Sequence, residues 1–186
     1  MQLQSVRAII TGGVSGLGFA VAEHLVAQGG KVALFDVNDE KGATAVATLG
    51  EANARYFKTD VTSEPGVVDN VAAAREFLGG LNVVVNCAGI LGAGRVLGKE
   101  GAMPLAQVQG TSKGGVVAMT LPMARELSRF GIRVMTIAPG VFWTPMVDGM
   151  PDSVQQSLAA SIPFPSRLGQ PKEFADLVAY ILGNTS

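Results

Sequence analysis

The chain has 186 residues, 48% of them hydrophobic and 16% charged, with 24 glycines and a formal net charge of −1. That length suits one domain with a sizeable core, and the composition is globular rather than disordered. The near-zero charge offers no broad field for nucleic acid or an anionic membrane, so neither partner is expected.

Mean hydropathy is positive, yet no apolar run approaches the roughly 20 residues that a membrane-crossing helix needs. Residues 1–7 lack the long apolar core of a secretion signal. A single cysteine, Cys87, excludes an intramolecular disulfide and suits a reducing cytoplasm. One histidine, His24, leaves too few soft ligands for a typical zinc site; on the first helix it reads as a surface residue, and no metal is expected.

In chain order, residues 6–11 read as a first strand, followed by glycines and a helix over 17–28. Residues 31–36 form a second strand, apolar through Val32, Ala33, Leu34 and Phe35. A helix carrying Lys41, Ala43, Val46 and Leu49 comes next, then a third strand over 54–59 and a helix over 65–77. The valine-rich stretch 82–86 is a buried fourth strand. After a less regular segment, 113–130 reads as a long helix, 134–138 as a strand, and 151–161 and 171–182 as helices. Apolar strands alternating with helices predict an α/β fold, a doubly wound parallel sheet covered on both faces. With no internal repeat, charge block or proline-rich linker, residues 1–186 read as a single domain.

The first strand runs directly into Thr11-Gly12-Gly13-Val14-Ser15-Gly16-Leu17-Gly18, which opens a helix. Glycines there let the backbone turn sharply and bring amides to a pyrophosphate at the helix N-terminus. Alone, such a stretch is equally a structural turn. The context favours the nucleotide reading: a strand precedes, a helix follows, and Asp36 ends the next strand. A carboxylate at that point binds the adenosine ribose hydroxyls and repels a 2′-phosphate, and no lysine or arginine flanks it, so NAD is expected rather than NADP. Asp60-Val61 closes the third strand and Asn86-Cys87-Ala88-Gly89 the fourth. Singly each is ordinary turn chemistry; together they line one crevice at the carboxyl ends of the strands.

These motifs resemble those of the short-chain dehydrogenase/reductase family, which has a Rossmann fold, over nearly the whole chain. Ser112-Lys113-Gly114-Gly115-Val116, Gly131-Ile132-Arg133-Val134 and Pro139-Gly140-Val141-Phe142-Trp143-Thr144-Pro145 are similar to later family motifs. Ile162-Pro163-Phe164-Pro165-Ser166-Arg167-Leu168-Gly169 is most similar to the type II 3-hydroxyacyl-CoA dehydrogenase branch.

The resemblance implies that Ser15 and Leu17 contact cofactor phosphates or ribose, Asp36 the adenosine ribose, and Asp60 and Val61 the adenine. It implies that Cys87 borders the nicotinamide ribose and that Phe142 and Thr144, after Pro139 and Gly140, hold the carboxamide. Lys113 becomes the catalytic lysine that bonds the nicotinamide ribose; without the family it is a solvated charge. The resemblance also implies a homo-oligomer, a tetramer, and a lid over 141–168 for a small hydroxyacyl thioester.

The chain departs from the family where chemistry is expected. The tyrosine four residues before the lysine is replaced by Gln109, and an amide is no general acid or base. Tyr56 and Tyr180 sit in the third strand and last helix, and Ser112 does not match the family's serine position. Between Gly89 and Lys113 there is too little chain for a further helix and strand, so the fifth helix, fifth strand and last strand are expected to be lacking. Two explanations stand: a shortened chain, or a longer protein from which this segment is missing. The leading function is an NAD-dependent oxidoreductase acting on a secondary alcohol or ketone. The alternatives are a catalytically inactive NAD-binding module, serving as sensor or interaction protein, and a non-functional fragment.

Overall fold

Four short apolar runs pair as a parallel sheet in the computed structural model, which describes residues 1–89, 97–98, 101–102 and 109–184. The strands are β1 (Arg7–Thr11), β2 (Lys31–Asp36), β3 (Ala54–Lys58) and β4 (Val83–Asn86), in the order β3-β2-β1-β4. The chain therefore winds outward from β1 through β2 to β3, then crosses back to place β4 on the other side of β1. That reversal creates a crevice between the carboxyl ends of β1 and β4, the usual ligand position in such sheets.

The helices follow from local signals. In α1 (Gly16–Ala27), Ser15 is the N-cap residue, and no acidic residue lies in the first turn. Asn38 caps α2 (Asp39–Leu49), its side chain accepting from the Lys41 amide at 2.9 Å. Pro65 lies in the first turn of α3 (Glu64–Leu78), which Gly79 ends in the left-handed region. On one face of the sheet Ile9, Ala33 and Phe35 bury themselves against Ala74 and Leu78 of α3. The alternate residues Ala8, Ile10, Val32 and Leu34 are fully buried too, because the period of two sends them to the opposite face. There α1 packs on β1 and β2, and α7 (Pro171–Gly183) packs along α1.

The chain divides into two compact units, one formed by Met1–Ala88 with Gly140–Ser186 and the other by Gly89–Pro139. The first holds the sheet together with α5 (Pro145–Asp148) and α6 (Asp152–Ala160). The second holds a two-residue antiparallel ladder, β5 (Leu97–Gly98) with β6 (Gly101–Ala102), and the long helix α4 (Gln109–Leu127) with Pro122 inside it. No strand was expected in this stretch, so the small ladder is an addition to the sequence reading.

Two expectations are corrected here. The fourth strand is not buried: β4 lies at the edge of the four-stranded sheet, and Val84 is 55% exposed. Residues 134–138 form no strand, although Val134-Met135-Thr136-Ile137-Ala138 has the composition of one. A strand exists only as part of a ladder, and no described residue pairs with this segment. Its tie within the unit is instead a hydroxyl contact between Thr136 and Thr120 of α4. Among the described residues, no helix is long and apolar enough to cross a membrane.

Candidate nucleotide-binding site

The turn after β1 is built so tightly that only glycine fits at its key positions. Gly12 has φ +64°, and a Cβ on it would lie 2.9 Å from the Ala88 nitrogen. A Cβ on Gly18 would lie 2.3 Å from the Gly12 carbonyl oxygen, inside any permitted contact. Turn, helix start and the end of β4 are thus pressed together, backbone against backbone. The first-turn amides of α1 have no intrahelical partner, and the helix dipole favours an anion there. The Ser15 side chain makes no capping bond. Leu17, in the same first turn, is half-buried. This arrangement suits a pyrophosphate.

A continuous rim of hydrogen bonds joins the four strand ends. The Thr59 amide donates to the Asp36 carbonyl at 2.8 Å, and the Gly12 amide donates to the Phe35 carbonyl at 2.8 Å. The Cys87 amide donates to the Thr11 carbonyl at 3.1 Å. The Thr11 hydroxyl accepts from the Ala88 amide at 3.1 Å and donates to Asn86 Oδ1 at 3.4 Å. Asp36 is half-buried, and its Oδ1 accepts from the amides of Val37 at 2.8 Å and Asn38 at 3.2 Å. These bonds fix the carboxylate and leave Oδ2 for a diol.

Asp60, exposed, is held below the usual carboxylate range by the hydroxyl and amide of Thr62. Beside it Val61 is half exposed. Burial pushes the Cys87 thiol up to about 11, so it stays a neutral thiol near pH 7. Gly89, Pro139 and Gly140 are exposed and carry no regular structure.

On the far side of the turn, the Thr144 methyl lies 3.6 Å from where a Gly16 Cβ would be. Thr144 is held there by a short bridge: the Gly169 amide donates to the Val141 carbonyl at 2.9 Å, and the Trp143 amide donates to the Gly169 carbonyl at 2.8 Å. The Phe142 ring covers Gly169, where a Cβ would come within 2.7 Å of it, and meets Phe174 edge-on at 6.1 Å. Gly12, Ser15, Gly16, Leu17, Gly18, Asp36, Asn86, Cys87, Ala88, Phe142 and Thr144 all belong to this one unit. The side chain of Lys113 lies outside the described residues.

Thr11, Gly13 and Gly169, quoted within motifs in the sequence reading but given no role there, also shape the site. The position of Thr11 at the last step of a strand before a glycine turn was the available signal. Gly169 gave none, since its partner Phe142 is 27 residues away in sequence.

Tyr56 is tied down, its one hydroxyl proton shared between the Asp36 carbonyl at 2.9 Å and Asp39 Oδ1 at 3.0 Å, and burial with the Asp39 charge pushes it up to about 12. It is no proton carrier near neutral pH. The expectation of a surface histidine is also corrected: His24 is largely covered where α1 meets α7, and its Nδ1 lies 3.2 Å from Asp176. Helix packing, not solvent, takes that face of α1.

Comparison with known proteins identifies the setting of these features. A family model described as short chain dehydrogenase matches residues 6–100, and one described as Enoyl-(Acyl carrier protein) reductase matches residues 95–186. The 3-hydroxyacyl-CoA dehydrogenase type-2 of Bos taurus is 40% identical over 238 aligned positions, covering 98% of this chain and 91% of the relative. Those 238 positions exceed the 186 residues of the chain by 52, so the relative carries at least 52 interior positions without a counterpart here.

A crystal structure of 3-hydroxyacyl-CoA dehydrogenase type-2 from Mycobacterium avium superposes with a TM-score of 0.86 at 30% identity, covering 98% of this chain and 92% of that one. A variant actinorhodin polyketide ketoreductase crystallised with NADPH gives a TM-score of 0.84 at 27% identity, with the same coverage of 98% and 92%. All three carry enzyme names, which favours the catalytic reading over a binding module without activity.

Proposed function

The chain belongs to the short chain dehydrogenase family of oxidoreductases, and from that premise we propose that it uses NAD to oxidise the secondary alcohol of a 3-hydroxyacyl thioester, or to reduce the matching ketone. The observation that carries this reading is the rim of strand ends around an open helix N-terminus, with Asp36 fixed at its edge.

Gly12, Gly16 and Gly18 shape the cradle, and Ser15 and Leu17 hold the pyrophosphate. Asp36 takes the adenosine ribose hydroxyls, and Asp60 and Val61 flank the adenine. Asn86, Cys87, Ala88 and Gly89 border the nicotinamide ribose. Phe142 and Thr144, which follow Pro139 and Gly140, meet the carboxamide. Lys113 is assigned, by resemblance alone, to the nicotinamide ribose and to depressing the pKa of a catalytic tyrosine, whose position here holds Gln109. The cofactor supplies the hydride acceptor. Gln109, whose amide can neither take nor give a proton at neutral pH, is neither the acid nor the base of the reaction.

NAD rather than NADP follows from charge: a 2′-phosphate beside the Asp36 carboxylate is repelled. The coarser statement, a nicotinamide cofactor, comes with the family; the NADPH-bound ketoreductase makes the finer one worth testing. We read residues 1–186 as one nucleotide-binding domain working as a homo-oligomer on a small-molecule substrate in the cytoplasm, a reading the single cysteine supports.

The test is direct binding of NADH and NADPH, followed by cofactor reduction with a 3-hydroxyacyl thioester. NADH is expected to bind at least ten-fold more tightly, and Asp36→Arg to reverse that order, a shift on the order of 100-fold in the ratio. Equal binding of both cofactors by the wild type sinks the NAD assignment. Tight NADH binding without turnover sinks the enzymatic one.

A further inference from the structure

A carboxylate selects between nucleotides only if it is held still, and for Asp36 the hold passes through one peptide plane. The Asp36 carbonyl and the Val37 amide are the two ends of that plane and turn as one body. At the amide end, Val37 donates to Asp36 Oδ1 at 2.8 Å, beside the Asn38 amide at 3.2 Å. At the carbonyl end two donors arrive, the Thr59 amide at 2.8 Å and the Tyr56 hydroxyl at 2.9 Å. With the ladder bond from Thr59 alone, the plane can tilt about that bond's axis. The second donor stops the tilt.

The rest of Tyr56 is placed for this contact. Its ring lies over Gly42 inside α2, where a Cβ would come within 2.6 Å of the ring. Glycine within a helix weakens it relative to alanine, so this glycine has a packing reason: a larger residue leaves no room for the ring. The hydroxyl also lies 3.0 Å from Oδ1 of Asp39, the first residue of α2. Lys58, two residues further along β3, reaches the other oxygen of Asp39. Both members of that ion pair are largely exposed, and solvent screens it. The half-buried contact with the Asp36 carbonyl therefore carries the argument.

We propose that Tyr56 is a positioning residue for cofactor choice: its hydroxyl locks the peptide plane between residues 36 and 37, which holds the Asp36 carboxylate toward the ribose diol and against a 2′-phosphate. The proposal rests on the assignment of Asp36 to the adenosine ribose made above. Tyr56 acts through Asp36 and takes no part in the chemistry. Without its hydroxyl, the Val37 amide can leave Oδ1, and the carboxylate is free to swing aside for a phosphate.

Tyr56→Phe removes one oxygen and keeps the ring over Gly42, so thermal unfolding is expected to show a folded chain. The readout is the ratio of NADPH to NADH dissociation constants for the full chain, followed by nicotinamide fluorescence. Tyr56→Phe is expected to lower that ratio about five-fold, chiefly through weaker NADH binding. A merely structural role would weaken both nucleotides alike and leave the ratio where it was, a result that overturns the proposal. In an Asp36→Ala background, Tyr56→Phe is expected to leave the ratio unchanged, because the group it positions is gone. A further five-fold fall there also overturns it. Gly42→Ala keeps the hydroxyl but displaces the ring, and is expected to lower the ratio in the same direction; an unmoved ratio counts against the proposal even if Tyr56→Phe fails to fold. The two claims fail separately. If Asp36→Ala abolishes the preference for NADH and Tyr56→Phe leaves it intact, the Asp36 assignment stands and the positioning role falls. If the wild type has no preference, or keeps it without Asp36, both fall.

Discussion

The turn between β1 and α1 and the helix α4 are both glycine-bearing stretches of this chain, and they differ in every physical respect. Around the turn, backbone meets backbone at the limit of contact, and the strands on either side are buried. Along α4 no described residue is fully buried, and Val116, Val117, Met119 and Leu121 are each at least half exposed. Gly114 and Gly115 have nothing within 4 Å of where a Cβ would stand. Glycine in the first region is a steric requirement; in the second it weakens the helix and has no packing partner among the described residues. The region that would hold a cofactor is specified by packing. The region where family chemistry is expected is specified only by sequence pattern.

Substitutions can break this contrast. The largest effect is expected from Gly18→Ala, whose methyl would overlap the Gly12 carbonyl: about 3 kcal/mol of stability by urea unfolding, with loss of NADH binding. A stable, NADH-binding variant would mean the turn is looser than the contacts imply. Thr11→Val removes the hydroxyl that bonds the Ala88 amide and Asn86, and about 1–2 kcal/mol is expected to go with it.

A smaller, salt-sensitive effect attaches to Glu173, which Arg167 and the Gln170 amide bring from an ordinary value of 4.5 to about 2. A carboxyl depressed on folding contributes stability above about pH 4.5 that disappears as pH falls through about 2. Glu173→Gln should flatten that acid limb in a pH series of thermal unfolding. An unchanged limb would assign it elsewhere. The smallest effect belongs to Leu121→Glu, expected to cost under about 0.5 kcal/mol. A cost above about 1 kcal/mol would show that this face of α4 is covered in solution.

The sheet was legible because its signals are local. Val32, Ala33, Leu34 and Phe35 form a continuous apolar run, and Thr11 to Gly18 joins a strand to a helix within eight residues; both the parallel fold and the position of Asp36 follow. Residues 134–138 carry the same kind of signal and form no strand, since composition cannot say whether a partner is present to complete the ladder. The Phe142–Gly169 bridge and the Thr144–Gly16 contact were equally invisible, because they depend on how separated segments meet. The His24–Asp176 pair failed for that reason too: a helix periodicity shows which face is apolar, not which other helix will lie on it.

The strand order also governs how the molecule must be assembled. Ala8 lies beside Val32, 24 residues along the chain, and beside Val83, 75 residues along. Closing a loop three times longer costs about 1 kcal/mol more in chain entropy before any contact repays it. The β3-β2-β1 half is therefore the faster to form, and β4 is the late arrival. Yet Gly12 is boxed in by Ala88, just beyond β4, so the cradle acquires its final shape only when that last strand docks. Competence to hold a nucleotide is then a kinetic milestone: during refolding it should lag behind the burial of Phe35 and report that the sheet is complete.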